Sequence, residues 1–100
     1  KLDQGLGKKI KLEDTGNNYF PIAEADLKYW KLNHQVKILK RIDNLLENIL
    51  INPYIGIGNP EPLKYELSGL WSRRINKVHR LTYRVINENK IEIVSLRFHY

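Results

Sequence analysis

Cysteine is missing from all 100 residues, which excludes a disulfide framework, a Cys-type zinc site and a thiol nucleophile. No apolar run approaches the roughly 18 residues that a membrane span needs. No signal-peptide pattern opens the chain either, so the expected compartment is the cytoplasm. Asp, Glu and His nowhere gather at ligand spacing, and neither a metal nor a cofactor is expected. The stretch "PYIGIGNPEPLK" (residues 53–64) holds Gly-Ile-Gly but lacks the Gly-Lys-Ser/Thr continuation and a following helix. It therefore reads as an ordered loop and not as a phosphate loop. Acidic residues are outnumbered, 11 Asp+Glu against 17 Lys+Arg, for a net charge of +6. That excess favours a polyanionic partner, either nucleic acid or an acidic protein.

What is present suits one domain with a single modest core. The chain opens on Lys1, and "KLDQGLG" is read as a tail. "KKIKLE" then alternates with a period of two, which predicts an edge strand over 8–13 before the turn-rich "DTGNN". From Pro21, Ala23, Leu27 and Trp30 recur at helical spacing. A second, clearer helix follows: Ile38, Ile42, Leu45 and Ile49 form one row and Val36, Leu39, Leu46 and Leu50 the row beside it, with Asn52-Pro53 as the stop. The two helices form a hairpin whose apolar face needs a sheet to cover.

Three strand-like runs supply that sheet: "LWSRRIN", "HRLTYRVI" and "IEIVSLRFHY", joined at "KV" and "NENK" as an antiparallel meander. The expected fold is therefore α+β, a two-helix hairpin on one face of a twisted, mainly antiparallel sheet. Alternation directs Leu81, Tyr83 and Val85 to the core and Arg80, Thr82 and Arg84 away from it. The same rule sends Val94, Leu96 and Phe98 inward and Ser95, Arg97 and His99 outward. Trp71 and Ile75 go inward and Ser72 and Arg74 outward, which leaves Arg73 without an assigned face. The uncovered face thus gathers Arg74, Arg80, Arg97 and His99. On this pattern alone a basic binding face is favoured over catalysis.

The blocks "PEPLK", "SGLWSRRI", "HRLTY" and the closing "RFHY" carry more specific information. In this order and spacing they resemble the YoeB toxins, ribosome-associated mRNA interferases of the RelE superfamily. The resemblance spans residues 25–100, and residues 1–24 form an N-terminal segment outside it. It implies an endoribonuclease toxin of a toxin–antitoxin pair, acting on mRNA in the A site of the 70S ribosome. A YefM-like antitoxin with an acidic, partly disordered segment is the implied partner, and a homodimer is a further expectation. Carried over by position, Glu61 is the implied general base, Arg80 the main stabiliser of the scissile phosphate, His99 the general acid and Tyr100 a positioning residue. Lys64 and Arg74 are implied phosphate contacts, with Arg73 and Arg97 in support.

Such a set suits RNA, which carries its own nucleophile. Cleavage needs a base for the 2′-hydroxyl proton, cations for the charged phosphorane and an acid for the departing 5′-oxygen. A bound phosphate offsets the cationic field around the acid and base, so activity is expected on RNA that is firmly held, as a ribosome would hold it. Two other functions are compatible with the scaffold: a non-catalytic basic binding module, and a gyrase-inhibiting toxin. The presence of Glu61, Arg80, His99 and Tyr100 together favours the nuclease.

Overall fold

In the computed structural model, which describes residues 18–98, the chain runs α1, α2, β1, β2, β3, β4. The strand expected over 8–13, and the terminal His99 and Tyr100, lie outside the described residues. Helix α1 (Pro21–Leu32) starts on a proline in its first turn, where a missing N–H costs nothing, and carries Glu24 in the first turn and Lys31 in the last. It buries Ala23, Leu27 and Trp30 as their spacing predicts. After a left-handed His34, α2 (Val36–Ile51) buries Ile42, Leu45, Leu46 and Ile49, with Ile38 and Leu39 partly buried beside them. Val36, expected in the apolar row, is exposed at the helix start.

The sheet has four antiparallel strands in the order β1-β2-β3-β4: Glu61–Pro62, Leu70–Arg74, Arg80–Asn87 and Lys90–Ser95. Both helices cover one face, and Leu81, Tyr83, Ile91 and Ile93 meet them in the core. Two features depart from the sequence reading. The 53–64 loop contributes a short strand, because Glu61 and Pro62 pair with Ser72 and Trp71. A proline in this edge strand removes a donor that would otherwise invite further pairing.

The second departure is in β4. Ile93 pairs with Tyr83 and Ser95 with Thr82, so Val94 is an extra residue and the register shifts there. This bulge inverts the alternation. Ile91 and Ile93 are the core residues before it and Leu96 after it. Phe98, expected inward, is 59% exposed.

Arg73 is the largest fully buried side chain, at 0% exposure. Alternation along β2 turns it toward the core between Ser72 and Arg74. Its Nη1 donates to Asn48 Oδ1 and to the Ile57 carbonyl, and its Nη2 to the carbonyls of Asn52 and Ile55. Its Nε donates to the Tyr83 hydroxyl, which itself donates to the Pro53 carbonyl. Burial pushes the Tyr83 pKa above the ordinary tyrosine value, against the lowering effect of the Arg73 hydrogen bond and charge, so the hydroxyl keeps the proton it donates. The loop can wrap this closely only because Gly56 has no side chain: a Cβ there would fall 1.9 Å from Asn48 Oδ1, at a φ of +135°.

Removing this guanidinium takes the donor from the Asn52, Ile55 and Ile57 carbonyls together and leaves Asn48 Oδ1 only the Ile57 N–H. Arg73→Met is expected to destabilise the fold by about 3–5 kcal/mol in urea unfolding, the scale for breaking a buried charged network. An unchanged midpoint would mean that the loop is held by other contacts.

Candidate active site on the open sheet face

The face of the sheet opposite the helices is organised by register. One row runs across all four strands as Glu61, Ser72, Thr82 and Ser95, each the partner of the next. Two residues along β2 and β3, Arg74 and Arg80 stand directly opposite one another. On the other side of the row lie Leu70, Arg84 and Glu92. Here Arg84 is neutralised by a salt bridge to Glu92 and rests over the Phe20 ring.

Arg74 and Arg80 have no such compensation. Like charges directly opposite on adjacent strands destabilise a sheet. Neither guanidinium has an ion-pair partner among the described residues, and Nη1 of Arg80 is shielded from solvent without any hydrogen-bond partner. The backbone, by contrast, is well tied: Arg80 N–H donates to Phe98 O at 2.8 Å and Arg74 N–H to Gly58 O at 2.7 Å, while Arg41 reaches the Arg74 carbonyl. Two cations on a well-tied backbone, without ion-pair partners among the described residues and on one face with an exposed carboxylate, make a surface suited to holding an anion.

The predicted residues divide accordingly. Glu61, Arg74 and Arg80 come together on this face, and Lys64 is exposed two residues beyond β1. Arg73 does not join them; it is buried on the opposite face with its donors taken by the protein, which removes it as a phosphate contact. Arg97 is drawn to α1, where its guanidinium carbon sits 3.6 Å from the Tyr29 ring centroid and 4.7 Å from that of Phe98. His99 and Tyr100 lie outside the described residues.

The chain leading to them is firmly held. Leu96 N–H donates to Asp26 Oδ2 at 2.9 Å, and the Trp30 indole donates to Leu96 O at 3.0 Å. Phe98 adopts a left-handed φ of +61°, uncommon for an aromatic residue. Its N–H donates to His79 Nδ1 at 2.8 Å, so that nitrogen carries no proton. The His79 ring stacks edge-on against Trp30. Asp26, Trp30 and His79 thus restrain the end of the last strand. Sequence reasoning missed all three, because each acts on backbone groups far away in the chain. Thr82 was placed on the right face but given no role.

The fold matches known proteins. The family model for the YoeB-like toxin of bacterial type II toxin–antitoxin systems matches residues 19–100. The Toxin YoeB of a Synechocystis strain is 51% identical over 71 residues, 71% of this chain and 81% of that protein. The solved YoeB/ParE toxin from Agrobacterium tumefaciens superposes with a TM-score of 0.77 at 35% identity, covering 82% of this chain and 95% of the other. YoeB from Staphylococcus aureus, solved as a dimer, gives 0.75 at 45% identity, covering 83% and 94%. With the family model spanning most of the chain and a relative at this identity, the chain belongs to the YoeB-like toxins of bacterial type II toxin–antitoxin systems.

Proposed function

We propose that this toxin is a metal-independent endoribonuclease that cleaves mRNA in the ribosomal A site. The observation that carries the reading is the Arg74–Arg80 pair, without an ion-pair partner among the described residues, beside the row that Glu61 begins. Glu61 takes the 2′-hydroxyl proton, and the 2′-oxygen attacks phosphorus. Arg80 and Arg74 stabilise the charged phosphorane, and Lys64 contacts phosphate from the edge. The P–O5′ bond breaks as His99 protonates the departing oxygen, leaving a 2′,3′-cyclic phosphate and a 5′-hydroxyl. Tyr100 positions the acid. Free RNA is floppy, and the ribosome supplies the orientation that an arginine-lined face alone lacks.

The same cationic surface is the docking face for a YefM-like antitoxin, whose acidic, partly disordered segment orders on binding. The S. aureus relative has been solved as a YoeB-YefM complex as well as a dimer, which supports both an antitoxin partner and a homodimer here. Cytoplasmic action follows from the proposed substrate, and no helix among the described residues is long and apolar enough to cross a membrane.

Primer extension on mRNA in a translating extract tests the reading, with cleavage expected only when the toxin is present. His99→Gln and Glu61→Gln should each lower cleavage by roughly 10²–10⁴-fold, the usual contribution of general acid–base catalysis, while ribosome binding stays near normal. Normal cutting by either variant would remove that residue from the mechanism. A simple binding module would show no cleavage to lose.

Affinity for single-stranded RNA should fall with salt, with a log–log slope of about −0.7 for each phosphate neutralised. Arg80→Ala should make that slope shallower by about one such step. An identical slope would place the RNA elsewhere on the molecule.

A further inference from the structure

Thr82 is 1% exposed, and its Oγ1 is shielded from solvent with no hydrogen-bond partner among the described residues. It lies on the open face two residues from Arg80, whose Nη1 is in the same condition. Native proteins leave few buried polar atoms unpaired, because the lost hydration is not returned. Strand propensity does not account for a threonine here. Valine has nearly the same shape, suits a central strand equally well, and brings no hydroxyl to desolvate. The register partners of Thr82 are Ser72 and Ser95, both buried, so a row of small hydroxylated side chains crosses three strands. Glu61 closes one end of it and the Arg74–Arg80 pair flanks it.

We propose that Thr82 is a substrate-binding residue, its hydroxyl donating to a non-bridging oxygen of the RNA phosphate that Arg80 Nη1 receives. A hydroxyl that can rotate and a guanidinium N–H offer two donors to the two non-bridging oxygens of a phosphodiester. Both atoms are out of bulk water, where a charge-assisted hydrogen bond is strongest. Each unpaired atom in the free protein then becomes a paired one in the complex. The identity of the phosphate as that of mRNA rests on the nuclease reading given above, whereas the phosphate-binding pair itself does not.

Thr82→Val separates these ideas, with Thr82→Ser as the variant that keeps the hydroxyl. In phosphate-free buffer the valine variant should melt at the same temperature as the wild type or higher, since it loses an unpaired buried group. Inorganic phosphate should raise the wild-type melting temperature, and its apparent affinity should fall about tenfold in the valine variant, the scale of one hydrogen bond to a charged group. The serine variant should bind phosphate nearly as the wild type does. Ribosome-dependent cleavage should fall in the valine variant and persist in the serine one.

A valine variant with unchanged phosphate affinity overturns the proposal, whether its melting temperature rises or falls. So does a wild type whose melting temperature phosphate does not move. A wild type that binds phosphate in a Thr82-dependent way but never cuts mRNA would remove the nuclease reading and leave this site standing.

Discussion

The guanidinium of Arg73 carries a permanent charge into the protein interior, and the loop from Asn52 to Ile57 is shaped by the need to solvate it. No carboxylate meets it among its hydrogen-bond partners; main-chain carbonyls, an asparagine amide and a tyrosine hydroxyl do. Two of those partners lie at the end of α2: Asn48 in its last turn and Asn52 as its cap. That helix has no basic residue of its own in the last turn, and Arg73 brings a positive charge to the negative end of its dipole. A helix terminus, an otherwise irregular loop and the central sheet are thereby joined through one side chain. Glu61 enters the sheet only three residues after this loop closes at Gly58, so the placement of the carboxylate depends on a cation on the opposite face.

The other end of the site depends on α1. The bulge at Val94 lets β4 keep its isoleucines in the core and still deliver Leu96 inward, to where Asp26 and Trp30 bond its backbone. Beyond that point the chain leaves the ladder, and the left-handed Phe98 is held between the N–H of Arg80 and the ring nitrogen of His79. Strained backbone persists where surrounding contacts over-determine it, and it often marks functional positions. Here the strain precedes the final two residues. The arginine that carries the charge on the open face also secures the strand end with its own main chain.

These anchors contrast with the side chains they present. Among the described residues, Arg74 opposes Arg80 without a counterion, and buried donors on Arg80 and Thr82 lack partners. Such a face opposes stability and is tolerated because the backbone beneath it is well bonded. Arg84, one row away, has both a carboxylate and an aromatic ring. On this face the two rows therefore differ, one with its arginine paired and the other with two arginines opposed.

The helices, the meander and the basic character of the open face were legible in the sequence, because each rests on a local period or on composition. Periods of 3.6 and 2 sort side chains wherever the backbone is regular, and Leu81, Tyr83, Arg74 and Arg80 fell on the faces expected of them. The motif blocks placed Glu61 and Arg80 among the site residues, and the register brings them to one surface. Tertiary structure decided the remainder. A one-residue bulge inverted the pattern of β4, and no local period encodes where an extra residue enters a ladder. Arg73 and Arg74 are adjacent and chemically identical, yet one is a buried strut and the other an exposed cation. Strand alternation sends them to opposite faces, and the loop carbonyls that converge on the core face give Arg73 the partners its burial requires. Arg97 was claimed by Tyr29, a residue nearly seventy positions away in the chain, because an aromatic ring offered by a packed helix competes with a solvated surface for the same guanidinium.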